Sequence, residues 1–206
     1  IKPIQFQDFV SSEEARRESW RRKFDSDVMA SAEPNAGHQA IQEWFEAGRH
    51  GGVITQNVDD LHQRSGLADY RVVELHGNAT YARCLSCGAR YELNELREQF
   101  RSDGEVAPCR ACGGLVKTAT ISFGQSMPES EMAKAQQLVE ACDLLIVLGS
   151  SLTVYPAAGF PQYAKQRGAS LAIVNRDATD QDHLADLVIH ESIGDVMSAA
   201  VAQLRR

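Results

Sequence analysis

Four cysteines fall as two pairs, Cys84-x2-Cys87 and Cys109-x2-Cys112, separated by residues 88 to 108. Thiolates are soft donors that suit zinc, and two such knuckles supply the four sulfurs of a closed tetrahedral site. Each knuckle runs into glycine, Gly88 after the first and Gly113-Gly114 after the second, the residue type its tight turn favours. Disulfides are the rival pairing, and they sit poorly with the intracellular α/β character of the rest of the chain. A redox pair would be single and would precede a helix. A four-sulfur site saturates its metal, so Cys84, Cys87, Cys109 and Cys112 predict a structural ion and no metal-bound nucleophile. Cys142 stands apart before an apolar run and reads as a core thiol.

Chemistry must therefore come from elsewhere. The polar runs are Gln56-Asn57-Val58-Asp59-Asp60, His76-Gly77, Gly149-Ser150-Ser151 and Asn175-Arg176-Asp177. An imidazole moves protons near neutral pH, and Asn57 and Asp59 are of the type that would hold His76 and a ribose in place. A lone histidine with no serine or cysteine nucleophile beside it fits a structural role as well. Gly149-Ser150-Ser151 offers a backbone that a phosphate can approach and two hydroxyl donors. A plain Gly-Ser turn would carry the same residues. Asp177 is a candidate for ribose hydroxyls, yet no GxGxxG fingerprint exists in the chain. His62 reads as a packing or capping residue.

The elements that must position these groups alternate between helix and short apolar strand. Ser12 to Asp25 has helical spacing with Glu13 and Glu14 in its first turn. Asn35 is placed to cap a helix carrying Ile41, Trp44 and Phe45, which ends near Gly48. Strands are expected at Val53 to Thr55, Val72 to Leu75, Leu144 to Leu148, Leu171 to Val174 and Leu187 to Ile189, with helices from Pro128, Pro156 and about Asp195. Leu144 to Leu148 reads as buried on both faces. Such alternation predicts an α/β fold with a parallel sheet covered on both sides. Each polar run follows a strand, and ligands of open parallel sheets bind along that carboxyl edge. The cysteine segment leaves the sheet after His76 and returns before Pro128. The residues alone thus read as a nucleotide-binding α/β enzyme with a structural zinc insertion.

Composition narrows the partners. Against 28 Asp and Glu stand 21 Lys and Arg, and the resulting charge of −7 is a poor footprint for nucleic acid. It is compatible with a basic peptide. The longest apolar run, Leu144 to Leu148, is far short of a membrane span, and no secretory signal opens the chain. An intracellular, cytoplasmic setting is expected, with neither nucleic acid nor membrane as partner.

Taken together and in order, these residues resemble the sirtuin family of NAD-dependent protein deacylases. The matching pieces are Thr55-Gln56-Asn57-Val58-Asp59-Asp60-Leu61-His62, Glu74-Leu75-His76-Gly77, the two cysteine pairs, and Ile121-Ser122-Phe123-Gly124. Gly149-Ser150-Ser151-Leu152-Thr153-Val154-Tyr155-Pro156 and Ile173-Val174-Asn175-Arg176-Asp177 complete the set, so the similarity runs from about Asp8 to the C-terminus. The resemblance implies a Rossmann-like domain at 36–76 and 126–206, a zinc-ribbon insertion at 77–125, and a helical segment of the small domain at 1–35. It implies NAD and an acyl-lysine peptide as substrates, and one structural Zn2+. In that family the acyl oxygen attacks C1′ of the nicotinamide ribose, nicotinamide leaves, and the acyl group ends on ADP-ribose.

By the same resemblance His76 is the general base on a ribose hydroxyl, and Asn57 and Asp59 line the nicotinamide-ribose pocket with Gln56 and Val58 beside them. Gly149, Ser150 and Ser151 would meet phosphates and the adenine-side ribose. Asn175, Arg176 and Asp177 would contact the adenosine half, with Ile193 as a late backbone contact to adenine. Ile121, Ser122, Phe123 and Gly124 would pair as a strand with the peptide.

The chain departs from the family pattern in four places. It opens at Ile1, downstream of the family's Gly-Ala-Gly turn and cofactor loop, which predicts an upstream segment closing over NAD. Gln125 replaces the usual acid after Phe-Gly. Thr118 follows Lys117 where proline is common, expected as a minor change in a turn. Glu18-Ser19-Trp20-Arg21 lacks the tyrosine of members that remove succinyl groups, which predicts no strong preference for dicarboxylic acyl chains. Mono-ADP-ribosyl transfer on the same scaffold and a non-catalytic zinc-ribbon interaction module are the alternative readings.

Overall fold

The computed structural model describes residues 2–25 and 31–205; residues 26–30 of the expected N-terminal helical segment lie outside them. In chain order the elements are α1 (Phe6–Ser11), α2 (Glu13–Asp25), α3 (Ala36–Glu46), β1 (Val53–Thr55), α4 (Leu61–Arg64), β2 (Val72–Glu74), β3 (Gly77–Cys84) and β4 (Arg90–Glu92). They continue with α5 (Leu93–Asp103), β5 (Val116–Thr120), α6 (Glu129–Ala141), β6 (Leu144–Leu148), α7 (Phe160–Gln166), β7 (Ser170–Val174), β8 (Leu187–Ile189) and α8 (Ile193–Leu204). None of the described helices is long and apolar enough to cross a membrane. The chain forms two compact units, one from 1–32, 55–60 and 76–128, the other from 33–54, 61–75 and 129–206.

The first unit is built on an antiparallel sheet ordered β4-β3-β5. One apolar cluster joins Trp20, Ala82, Leu93, Leu96 and Val116 to Cys84 and Cys109, so the metal knuckles are part of its core. Trp20 and Phe24 stack one turn apart on α2 and both pack on that cluster, and Phe24 meets Phe100 of α5 with centroids 5.5 Å apart, which fixes α2 to it. The segment 55–60 joins this unit because β3 bulges toward it: the Ala79 N–H donates to the Val58 carbonyl at 2.7 Å and Asn78 donates to Asp60. Lys117 and Thr118, expected in a turn, lie inside β5, where Thr118 pairs with Ala82.

The second unit is α/β. Parallel strands run in the order β6-β7-β8, while β1 and β2 pair as a separate ladder. Helices cover both faces: Ala40 of α3 packs with Met197 and Val201 of α8 on one side, and Val139 of α6 with Ala164 of α7 on the other. Asn35 caps α3 as its type predicts, accepting from the Gly37 and His38 N–H groups, and His38 Nδ1 accepts in return from the Asn35 N–H. The strand buried on both faces is β7, where Ile173 and Val174, which point to opposite faces, are 0% and 2% exposed. The expectation for β6 is corrected. It sits at the end of the three-stranded ladder, and Leu144 remains 40% exposed.

Candidate functional site

The four cysteine sulfurs lie within 4.8 Å of one another, with Cys84 and Cys112 at 3.5 Å and Cys87 and Cys109 at 3.6 Å. Sulfurs 2.3 Å from a central zinc at tetrahedral angles are about 3.8 Å apart, so the cluster fits one structural zinc ion. No disulfide joins the five cysteines, and the arrangement of all four knuckle sulfurs about one point favours a metal over paired disulfides. Backbone turns shape each knuckle: the Gly88 N–H donates to the Cys84 carbonyl and the Gly113 N–H to that of Cys109. Tyr91, which sequence reasoning missed, donates its hydroxyl to Cys109 Sγ at 3.1 Å and accepts from the Arg110 N–H. That hydroxyl, helped by the Ala111 and Cys112 amides, pulls the Cys109 thiol down to about 6, toward the thiolate a metal needs.

His76 follows β2 and immediately precedes β3. Its Nδ1 lies 3.0 Å from the Gln56 carbonyl oxygen. A carbonyl only accepts, so Nδ1 carries the proton and Nε2 of the neutral ring holds the lone pair. The same contact draws the Gln56–Asp59 run, with Asn57 and Asp59, to the histidine. Gly77 is required next to it. Its φ is +72°, and a Cβ there would stand 2.0 Å from the Ala119 carbonyl oxygen. Asn78 is 2% exposed; its amide donates to Asp60 Oδ1, and its oxygen accepts from the Thr80 N–H and hydroxyl. Asp60 is a non-glycine residue at φ +66°, held there by this bond. We expect Asn78→Ala to lower unfolding stability by about 1–3 kcal/mol through the groups it orphans, measurable by urea denaturation. An unchanged midpoint would contradict that accounting.

The segment Ile121–Gly124 is not itself a strand; β5 ends at Thr120 and a turn follows. The turn closes because Gln125 uses both ends of Ser122, its N–H donating to the Ser122 carbonyl and its Oε1 accepting from the Ser122 N–H. An amide oxygen does this as well as a carboxylate would, without the charge. The Phe6 N–H donates to the Phe123 carbonyl, the Ile121 N–H donates to the His76 carbonyl at 2.8 Å, and the Phe123 ring is 67% exposed. The expected substrate segment and the expected base are therefore joined by one hydrogen bond.

The other predicted cofactor residues belong to the second unit. Leu148 pairs with Val174, so Gly149-Ser150-Ser151 and Asn175-Arg176-Asp177 emerge side by side from the carboxyl ends of β6 and β7. The Gly149 N–H donates to the Val174 carbonyl. Gly149 has φ +63°, and an added Cβ would lie 2.7 Å from Ile193 Cδ1, which puts Ile193 against the same turn. Asn175 folds its amide onto the Asp177 carbonyl at 2.7 Å, and His190 Nδ1 meets the Asn175 carbonyl at 2.9 Å. His62 is buried, its ring 4.9 Å from that of His38, consistent with packing. Cys142 is half-buried beside Val139, to whose carbonyl its thiol donates.

Comparison with known proteins identifies the family. A protein of Rhodopseudomonas palustris named NAD-dependent protein deacetylase is 52% identical over 201 residues, 97% of this chain and 79% of the relative. NAD-dependent protein deacetylase 1 of Bradyrhizobium diazoefficiens is 54% identical over 202 residues, with the same coverage. A structure of Sir2 bound to acetylated peptide superposes with a TM-score of 0.87 at 31% identity, spanning 97% of this chain and 82% of that one. Residues 2–156 match the family model described as Sir2 family, and with relatives this close over nearly its whole length the chain belongs to the Sir2 family.

Proposed function

We propose that this protein is an NAD-dependent protein-lysine deacylase that releases nicotinamide and O-acyl-ADP-ribose. The observation that carries the reading is the His76 Nδ1 contact to the Gln56 carbonyl, which leaves Nε2 as a proton acceptor. Bound NAD supplies an anomeric carbon with nicotinamide as its leaving group. His76 takes the proton of a ribose hydroxyl at Nε2, and Asn57 and Asp59, with Gln56 and Val58, line the surrounding pocket. The paired strand ends at Gly149–Ser151 and Asn175–Asp177, with Ile193, support an assignment to the phosphates and adenosine. Ile121–Gly124 receives the acyl-lysine peptide, with Phe123 offered as an exposed apolar contact. We assign the zinc-bearing insertion to 77–125 and the Rossmann-like part to 36–76 and 126–206, of which 55–60, His76 and 126–128 belong by compactness to the first unit. Free thiols at every cysteine suit a reducing compartment, and we place the reaction in the cytoplasm.

The test is incubation with NAD and an acetyl-lysine peptide, followed by mass spectrometry of the products. Nicotinamide together with O-acetyl-ADP-ribose is the expected result. ADP-ribose attached to protein would instead support mono-ADP-ribosyl transfer, and no product with any acyl chain would support a non-catalytic module.

Acyl preference follows from α2. Trp20 is buried in the core, and Arg21 is engaged by Glu18 at 2.7 Å and Asp25 at 2.9 Å on the helix surface. Neither is presented to a dicarboxylic acyl group. We expect acetyl-lysine peptides to be turned over faster than succinyl-lysine peptides in a side-by-side assay; a succinyl rate well above the acetyl rate would refute this.

A further inference from the structure

Lys117 lies within β5 and is 4% exposed, yet among the described residues no carboxylate pairs with it. Its ammonium is held by backbone alone, donating to the Thr120 carbonyl at 2.5 Å with the Thr118 carbonyl at 3.4 Å. Burial pushes it down to about 8. Burying a cation is costly, so the site that keeps it has an unmet need for donors.

The ladder shows what that need is. Along a strand, successive residues aim their N–H and C=O groups at opposite sides. The Leu115 carbonyl accepts from the Leu85 N–H, and the Ile121 N–H donates to the His76 carbonyl, so the odd-numbered residues of β5 face β3. The carbonyls of Thr118 and Thr120 therefore face the outer edge, and β5 is the terminal strand of its sheet. Here the ladder is also weakest. Four residues of β3, 78 to 81, stand opposite Ala119 alone, because the register shifts between Gly77 and Ala82. The strand that leads into the substrate turn has lost ladder support on one side and has half-buried edge carbonyls on the other.

We propose that Lys117 is a positioning residue for the acyl-lysine peptide: by closing the outer edge of β5 it fixes the Ile121–Gln125 turn against His76 and confines peptide pairing to residues beyond Thr120. The proposal rests on the deacylase reading for the peptide, but the hook itself is independent of it. Without the ammonium, the Thr118 and Thr120 carbonyls lose their donor, and the Ile121 N–H bond to the His76 carbonyl is next to loosen.

The test compares wild type, Lys117→Met and Lys117→Arg by amide hydrogen exchange and by acetyl-peptide and NAD kinetics. In Lys117→Met the amides of Ile121, Ser122 and Gln125 should exchange about tenfold faster, while Gly88 and Gly113 in the knuckles do not change. The KM for the peptide should rise about tenfold with the KM for NAD within about twofold, and Lys117→Arg, which keeps a donor, should restore both readouts. Unchanged exchange at Ile121 and Ser122 overturns the hook even if no peptide is turned over. Equal movement of both KM values, or a lowered melting temperature with kinetics intact, overturns the positioning role and leaves Lys117 structural. Absence of turnover in wild type with the exchange result intact would count against the deacylase reading alone.

Discussion

His76→Ala is expected to reduce NAD-dependent deacylation by about 10²–10⁴-fold, the range general-base catalysis supplies. The expectation comes from the tautomer. The Gln56 carbonyl fixes the proton on Nδ1, so the ring offers Nε2 and nothing else in its neutral form. Structural loss should be small, because the side chain is half-buried and makes one hydrogen bond, whose removal costs about 1 kcal/mol. His76→Asn separates the two contributions. An asparagine amide can still donate toward the Gln56 carbonyl but cannot act as a base, so it should be as inactive as alanine while holding the Gln56–Asp59 run closer to its native place. The decisive measurement is the rate of O-acetyl-ADP-ribose formation at saturating NAD and peptide. If either variant kept more than about a tenth of the wild-type rate, His76 would not be the base and the neighbouring Asn57 and Asp59 would have to be reconsidered.

The parts of this molecule that were legible in the sequence are those governed by local rules. Paired cysteines with glycine behind them, apolar runs of strand length, and Asn35 before an amphipathic stretch each carry their meaning within a few residues. Polar runs after strands pointed to the sheet edge, and β6 and β7 do deliver Gly149 and Asn175 next to each other. The rest depends on contacts between distant segments. Lys117-Thr118 reads as part of a turn, and only the place of β5 at the edge of its sheet explains why they lie in a strand with the lysine buried. Tyr91 has no signature at all, since its partner Cys109 is in another loop. The bulge in β3 was equally hidden, because the acceptor that draws it out of register is the Val58 carbonyl, which any residue possesses. Leu144–Leu148 misled for the converse reason. An apolar run reports what a strand is able to bury, and the position of β6 in the ladder sets what it does bury.

Removing the metal should have the other large effect, and its form distinguishes a structural ion from a catalytic one. Cys84 and Cys109 are inside the apolar cluster that contains Trp20, Leu93, Leu96 and Val116. Without a cation, four sulfurs within 4.8 Å must either protonate or repel, and in either case the bonds that tie the two knuckles to each other are lost. Zinc bound by such sites contributes on the order of 10 kcal/mol to folding, comparable to the whole stability of a domain. Chelation should therefore unfold the first unit, with loss of near-ultraviolet circular dichroism and of deacylation together. Cys109→Ser should do the same, and more completely than Cys87→Ser, because Cys87 is exposed and Cys109 also anchors Tyr91. Cadmium, which accepts the same tetrahedral thiolates, should restore both fold and turnover, since no step is assigned to the ion. A chelated protein that kept its circular dichroism and lost only its chemistry would show that the metal takes part in the reaction, and four closed cysteine ligands would no longer be an adequate description of the site.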